Sequence, residues 1–229
     1  VKKLQGRLVS LQVGTPRTYP SDGSSRGSWT NGIAKQAVEG PVRLGRTNLD
    51  GDGQADLQHH GGPDKAVLAY ALRHYEAWRR DPDLKELGPG AFGENFTVDG
   101  LDEETVCIGD RFRVGDALVQ VAQARLPCWK LDRRWGVDGL AERVKRNGKS
   151  GWYLRVIQEG TVEKRDTLEL IDRPAPRWTI RAVNDILHRR NRDPEAIREC
   201  GLPPAAGGKH AEGPGQPTDV TRSGSIVKK

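Results

Sequence analysis

The sequence predicts a mostly β protein with helices added (α+β): a β-barrel or sandwich with peripheral helices and a small helical piece at its C-terminal side. Three observations carry this. Short runs rich in Val, Leu, Ile and aromatic residues, each bounded by Gly, Asp or Pro, recur at 33–38, 41–44, 66–71, 95–98, 110–114 and 118–122. Helical periodicity interrupts this pattern and does not dominate it. The length of 229 residues suits one generous mixed domain, or one domain with an appendage.

In chain order, residues 6–13 alternate apolar and polar side chains imperfectly and read as a strand, and the Pro/Ser/Gly-rich stretch 14–28 reads as a surface loop. Residues 72–80 predict a helix after a strand, and Val137, Leu140, Ala141 and Val144 fall on one helical face. Strands resume at 152–157 and 167–171, after which Arg173-Pro174-Ala175-Pro176 forms a stiff linker. The expected organisation is therefore a barrel domain over 1–175, a short helical appendage over 176–202 and a disordered tail over 203–229. In the appendage, Thr179 can cap a helix whose Ile180, Val183, Ile186 and Leu187 share a face, and Asp193-Pro194 opens another. The tail has four Pro, five Gly and only Val220, Ile226 and Val227 as large aliphatics, too little apolar surface to offset the entropy of ordering it.

Hydrophobic residues make up 35% and charged residues 30%, with Val, Leu, Ile and Trp spread widely, so a packed core is expected and wholesale disorder is excluded. No run approaches the roughly 18 apolar residues of a membrane span, and no secretory signal pattern opens the chain, which predicts a cytoplasmic protein with no membrane partner. A net charge of +6 is modest for this length, and no arginine run interleaves with aromatics, which argues against a nucleic-acid partner. Cys107, Cys128 and Cys200 are too few, and wrongly spaced, for a disulfide framework, a zinc cage or an iron–sulfur cluster.

Four segments carry candidate chemistry. Asp50-Gly-Asp-Gly-Gln-Ala-Asp56 misplaces the glycine and lacks the terminal Glu of a calcium loop, so it reads as a turn whose carboxylates bond backbone amides at a pocket rim. In His59-His60-Gly61-Gly62-Pro63-Asp64-Lys65, two glycines allow close backbone approach, and His60, Asp64 and Lys65 offer donor, acceptor and cation; a turn around a buried histidine is the plain alternative. Gly90-Ala-Phe-Gly-Glu-Asn95 either presents Glu94, Asn95 and free amides to a polar ligand or forms a tight turn that Asn95 supports. In Arg125-Leu-Pro-Cys-Trp-Lys130, cations three residues before and two after Cys128 would stabilise a thiolate, as a nucleophile or metal ligand needs, although cysteine is also a common inert core residue.

Taken in order, TNGIAKQAVEGPV, NLDGDGQAD, HHGGPDKAV with Tyr70 and His74-Tyr75, FGENFTVDGL, IGDRFRVGDALVQVAQARLPCWKL and KSGWYLRVIQEG closely resemble the YiiM-like branch of the MOSC (molybdenum cofactor sulfurase C-terminal) family over residues 6–172. The segment from Trp178 resembles the three-helix appendage of that branch, and departs from it at Leu202-Pro-Pro-Ala-Ala-Gly-Gly, where the third helix is expected. The resemblance implies a MOSC-type (Pro/Lys-type) β-barrel that binds the molybdenum cofactor (Mo-molybdopterin), with Cys128 as the protein's metal ligand. Arg125, Lys130, Gly61, Gly62, Lys65, Glu94 and Asn95 are then expected to bind cofactor, and His60 and Asp64 to handle protons, while Cys107 and Cys200 are structural. Relatives reduce N-hydroxylated compounds, R–NHOH to R–NH2. With no flavin or nicotinamide fingerprint in the chain, a separate electron-donating reductase is expected as partner. A non-catalytic cofactor carrier or sulfur-transfer module is the alternative, and a homo-oligomeric state stays open.

Overall fold

The computed structural model describes residues 4–21, 27–55, 61–188 and 193–195. His59, His60, Cys200 and the 203–229 tail, all subjects of the sequence reading, lie outside the described residues. In chain order the elements are β1 (Gln5–Val13), β2 (Arg17–Tyr19), β3 (Trp29–Asn31), β4 (Gln36–Ala37), β5 (Val42–Leu44), β6 (Val67–Ala71), α1 (His74–Trp78), β7 (Phe96–Asp99), β8 (Arg111–Val114), β9 (Ala117–Ala124), α2 (Lys130–Trp135), α3 (Leu140–Asn147), β10 (Trp152–Gln158), β11 (Gly160–Val162), β12 (Thr167–Asp172) and α4 (Ile180–Leu187).

Seven strands close a barrel in the order β1-β12-β8-β9-β10-β6-β7, with β7 returning to β1. Every pairing in the ring is antiparallel except β6 with β7. Closure leaves no free edge in the ring. The two-residue side-chain period fills the interior: β8 and β9 bury Phe112, Val114, Val119 and Val121 and turn the intervening residues outward. The central strand β6 is buried along its whole length, because Val67 and Ala69 enter the barrel core while Tyr70 packs into a second core. That second core, built from Tyr75, Trp78, Phe92, Leu131 and Val144 with Tyr70, seats α1, α2 and α3 on the barrel.

The predicted strand 33–38 shortens to β4, because Asn31 to Lys35 turn instead to line a cleft. Residues 14–28, expected as loop, contribute β2 and the approach to β3, a hairpin held by stacking of Tyr19 on Trp29 at 4.8 Å. Thr179 caps α4 as expected, its Oγ1 accepting from Ala182 N at 3.0 Å. Past the Pro-rich linker the chain stays stitched to the barrel: Ile180 N donates to Val106 O at 2.9 Å, and Ile180 and Val183 join the barrel core. Asp193 Oδ1 accepts from Glu195 N at 3.0 Å, the side-chain contact expected of an N-cap. Among the described residues no helix is long and apolar enough to cross a membrane.

Candidate functional site

An open cleft of about 740 Å³, its mouth included, is bounded by the 31–35 turn, the 52–55 loop, the start of β6, the 92–95 turn, the 125–130 segment and Tyr153. The walls approach closely where glycine permits. A Cβ on Gly32 would lie 2.6 Å from Gly53 O, and one on Gly93, whose φ is 78°, would lie 2.7 Å from Ile33 Cγ1. Larger residues at either position would push the loops apart and open the cleft.

One wall carries the thiol. As β9 ends, the chain turns through Pro127, and Leu131 N donates to Cys128 O at 3.0 Å as α2 begins, leaving Cys128 half-buried with a free thiol. Arg125 is buried, and its guanidinium donates to Phe92 O at 2.9 Å, which ties the thiol wall to the 92–95 turn. Beside it, burial pushes the Tyr153 phenol above its ordinary range, with Arg125 opposing. Lys130 Nζ donates to Thr30 O at 3.3 Å, and Lys65 stands on the same cleft.

The facing wall is a polar network. Asp52 Oδ1 accepts from Lys35 Nζ and, at 2.9 Å, from Gly14 N, while Asp52 Oδ2 accepts from Asn95 Nδ2 at 2.9 Å. Asn95 spends its Oδ1 on Leu68 N at 3.1 Å, so it fixes the wall and offers little to a ligand. Burial draws the Lys35 ammonium below its ordinary value, against the pull of Asp52. Asn31, only 4% exposed, accepts from Ile33 N at 2.8 Å but its Nδ2 is buried without a hydrogen-bond partner. An unmet buried donor is costly, so a ligand acceptor at this wall would relieve it.

Of the residues expected at the site, Cys128, Arg125, Lys130, Lys65 and Asn95 line the cleft together. Gly61 and Gly62 are absent from the lining: Gly62 N donates to Gln54 Oε1 at 3.1 Å, and Gln54 Nε2 donates to Lys65 O at 2.9 Å, so Gln54 staples that loop to the rim. Asp64 is absent from the lining; its half-exposed carboxylate pairs with the partly exposed Arg155 at 2.9 Å, which satisfies it outside the cleft. Glu94 is sealed beneath the cleft, accepting from Tyr75 OH, from Gly90 N at 2.7 Å, from Phe92 N at 3.1 Å and from Thr97 Oγ1 at 2.9 Å. Those four donors consume the carboxylate, which shapes the turn and does not face a ligand. Sequence reasoning missed Asn31, Lys35, Gln54 and Tyr153. It placed Asp52 correctly on a rim turn, where the carboxylate takes Gly14 N and not a neighbouring amide.

A MOSC domain model matches residues 56–169. The chain is 41% identical over 167 residues to the YiiM protein of Escherichia coli (strain K12), covering 72% of each chain. It is 37% identical over 197 residues to a protein named "Reductase" from Gibberella moniliformis, covering 84% of this chain and 34% of that one. The crystal structure of YiiM from Geobacillus stearothermophilus superposes with a TM-score of 0.68 at 34% identity, covering 85% of this chain and 90% of that one. A closed β-barrel whose cleft gathers Cys128, Arg125 and Lys130, together with these likenesses, places the chain in the MOSC family, as a YiiM-like member.

Proposed function

We propose that the cleft holds a molybdenum cofactor and that the protein is a reductase of N-hydroxylated compounds, converting R–NHOH to R–NH2. The observation that carries this reading is the half-buried Cys128 thiol sharing a cleft with Arg125, Lys65 and Lys130 and with the unmet donor of Asn31. That donor set fits the group: a soft thiolate suits a metal already carried by a dithiolene, and the cations with Asn31 Nδ2 suit a phosphate or oxo anion. Cys128 would be the metal ligand; Arg125, Lys65 and Lys130 would hold the anionic portion.

When bound, the cofactor supplies a two-electron centre able to take an oxygen atom. The chain does the rest. Arg125, fixed by Phe92 O, places its guanidinium on the same cleft as the thiol, where it can meet an anionic group. Asp52 and Asn95 fix the facing wall, and Lys35, held on it, orients the N–O bond. Two electrons reach the site from a separate reductase protein, for R–NHOH + 2 e⁻ + 2 H⁺ → R–NH2 + H2O. The fungal relative's name favours the reductive direction, although this chain spans about a third of that protein.

The test compares protein made in cells able and unable to synthesise the cofactor, by molybdenum content and by reduction of N-phenylhydroxylamine with reduced methyl viologen. Wild type should carry molybdenum only from the first cells and turn over, and Cys128→Ser, a much poorer ligand, should be folded but lose molybdenum or activity. Molybdenum bound without turnover would make the protein a carrier; no molybdenum in either preparation would remove the reading altogether.

A further inference from the structure

We propose that Lys35 is the proton donor of the cleft, with Asp52 as the positioning residue that holds its amine; this rests on the reductase reading above. The side chains of Lys35 and Asp52 are 7% and 3% exposed, and both residues line the cleft. Asp52 is fixed by three donors from separate segments: Gly14 N after β1, Asn95 Nδ2 before β7, and Lys35 Nζ itself. Its oxygens are therefore committed. An ammonium carries three protons and Asp52 takes one, so Lys35 keeps donors to offer the cleft. Of the residues first expected to handle protons, Asp64 pairs with Arg155, and His60 lies outside the described residues.

Burial, and not the charged surroundings, favours release of a proton. Asp52 and the sealed Glu94 attract the ammonium, while Lys65, Arg125 and Lys130 share its cleft as like charges, and the Tyr153 phenol faces the same space. Burial outweighs the two carboxylates and sets the Lys35 ammonium below a surface lysine, closer to the range in which an acid both holds and yields its proton. In the reaction, the N–O bond breaks as two electrons enter from the electron-carrier protein. Lys35 gives one proton to the departing hydroxyl oxygen, which leaves as water, and a solvent proton completes R–NH2. The neutral amine, still held by Asp52, is recharged from solvent through the open mouth.

The experiment uses molybdenum-loaded protein, reduced methyl viologen and N-phenylhydroxylamine, with kcat measured across pH for wild type, Lys35→Arg and Lys35→Met. Arginine keeps the cation beside Asp52 but does not deprotonate, so Lys35→Arg should retain its fold and molybdenum while kcat falls about 100-fold and the decline of rate at high pH disappears. Lys35→Met should lose at least as much. In parallel, ¹³C-dimethylation of the lysines, followed by NMR titration of the molybdenum-free protein, should show the Lys35 resonance titrating below the surface lysines. Loaded wild type that fails to turn over overturns the reductase reading and this proposal together. Turnover by Lys35→Arg within threefold of wild type, or a Lys35 resonance titrating with the surface lysines, overturns the proposal alone.

Discussion

The guanidinium of Arg133 lies over the Trp29 ring, 5.1 Å from its centroid, and 5.5 Å from that of Trp129. Trp129 follows the thiol of Cys128, and Trp29 stands two residues before Asn31 on β3, so one side chain of α2 clasps both sides of the cleft. Arg133 Nη2 also donates to Gly27 O at 3.1 Å, which secures the hairpin.

Removing this clasp should loosen the hairpin before it unfolds the barrel. Arg133→Ala is expected to cost about 1–2 kcal/mol, from two cation–π contacts of about 0.5–1 kcal/mol each. The Cys128 thiol should react faster with iodoacetamide, read by mass spectrometry at fixed pH. Arg133→Lys, which keeps a cation over the rings, should recover part of both effects; an alkylation rate unchanged in Arg133→Ala would mean the hairpin does not shield the thiol.

Glu94 gives a stability prediction with a pH signature. In Glu94→Gln the amide nitrogen would face a backbone donor, leaving Gly90 N or Phe92 N unmet, at a cost of about 1–3 kcal/mol. Burial raises the Glu94 carboxyl above its unfolded value, with the hydrogen bonds opposing. Between those two values the folded state holds the extra proton, so this group's contribution falls as pH rises across the window and is fully restored below the unfolded value. Urea midpoints measured from acid to neutral pH should therefore show wild type gaining on Glu94→Gln as pH drops. A difference that is flat in pH would contradict the raised carboxyl.

The barrel was largely legible because its strands obey local rules. β8, β9 and β10 alternate inward and outward with a period of two, and the turn between β8 and β9 is Gly115-Asp116. The Arg125–Lys130 side of the cleft was legible for the same reason, since a thiol and two cations fall within six consecutive residues. The other wall was not. Lys35 meets Asp52 across 17 residues and Asn95 meets Asp52 across 43, pairings set by how the loops fold over β1 and β7 and by nothing in the local pattern. Glu94 misled for a related reason: a glutamate in a glycine-rich turn reads as exposed, yet the turn wraps around it, and its four donors come from α1, β7 and the turn itself. The α2 helix escaped notice because six residues, Lys130–Trp135, are too few to display a helical period.

The two described cysteines should separate cleanly in reactivity. Burial raises the Cys107 thiol, Asp110 adds to that and Arg173 opposes it, while the Sγ donates weakly to Pro176 O at 3.5 Å. A thiol that is buried and reluctant to ionise is a slow nucleophile. Limiting iodoacetamide on the native protein should label Cys128 well before Cys107, and denaturant should bring the Cys107 rate up to that of Cys128. Equal native rates would mean that the 107–110 turn opens readily.

Arg173 fastens the Pro-rich linker to the barrel. Its Nε and Nη2 grip Asp110 at 2.9 and 2.7 Å, and Nη2 also reaches Thr105 O at 2.8 Å. Asp110 is fully buried and its Oδ2 accepts from Cys107 N at 2.8 Å, so the ion pair and the turn beneath it form one unit. Cutting Arg173 back to Ala strands a buried carboxylate with that amide as its remaining partner. Loss of one member of a buried pair costs about 3–5 kcal/mol, and the partial exposure of Arg173 puts the expected value near the lower end, about 3 kcal/mol. Lysine cannot make the two-pronged contact, so Arg173→Lys should recover only part of the loss. The same cut should release α4, whose first turn hangs from Val106 and Glu103 just beyond the turn. Hydrogen exchange should therefore show the α4 amides losing protection in Arg173→Ala while β9 and β10 keep theirs. Uniform loss across barrel and helix would mean that linker, helix and barrel unfold as a single unit.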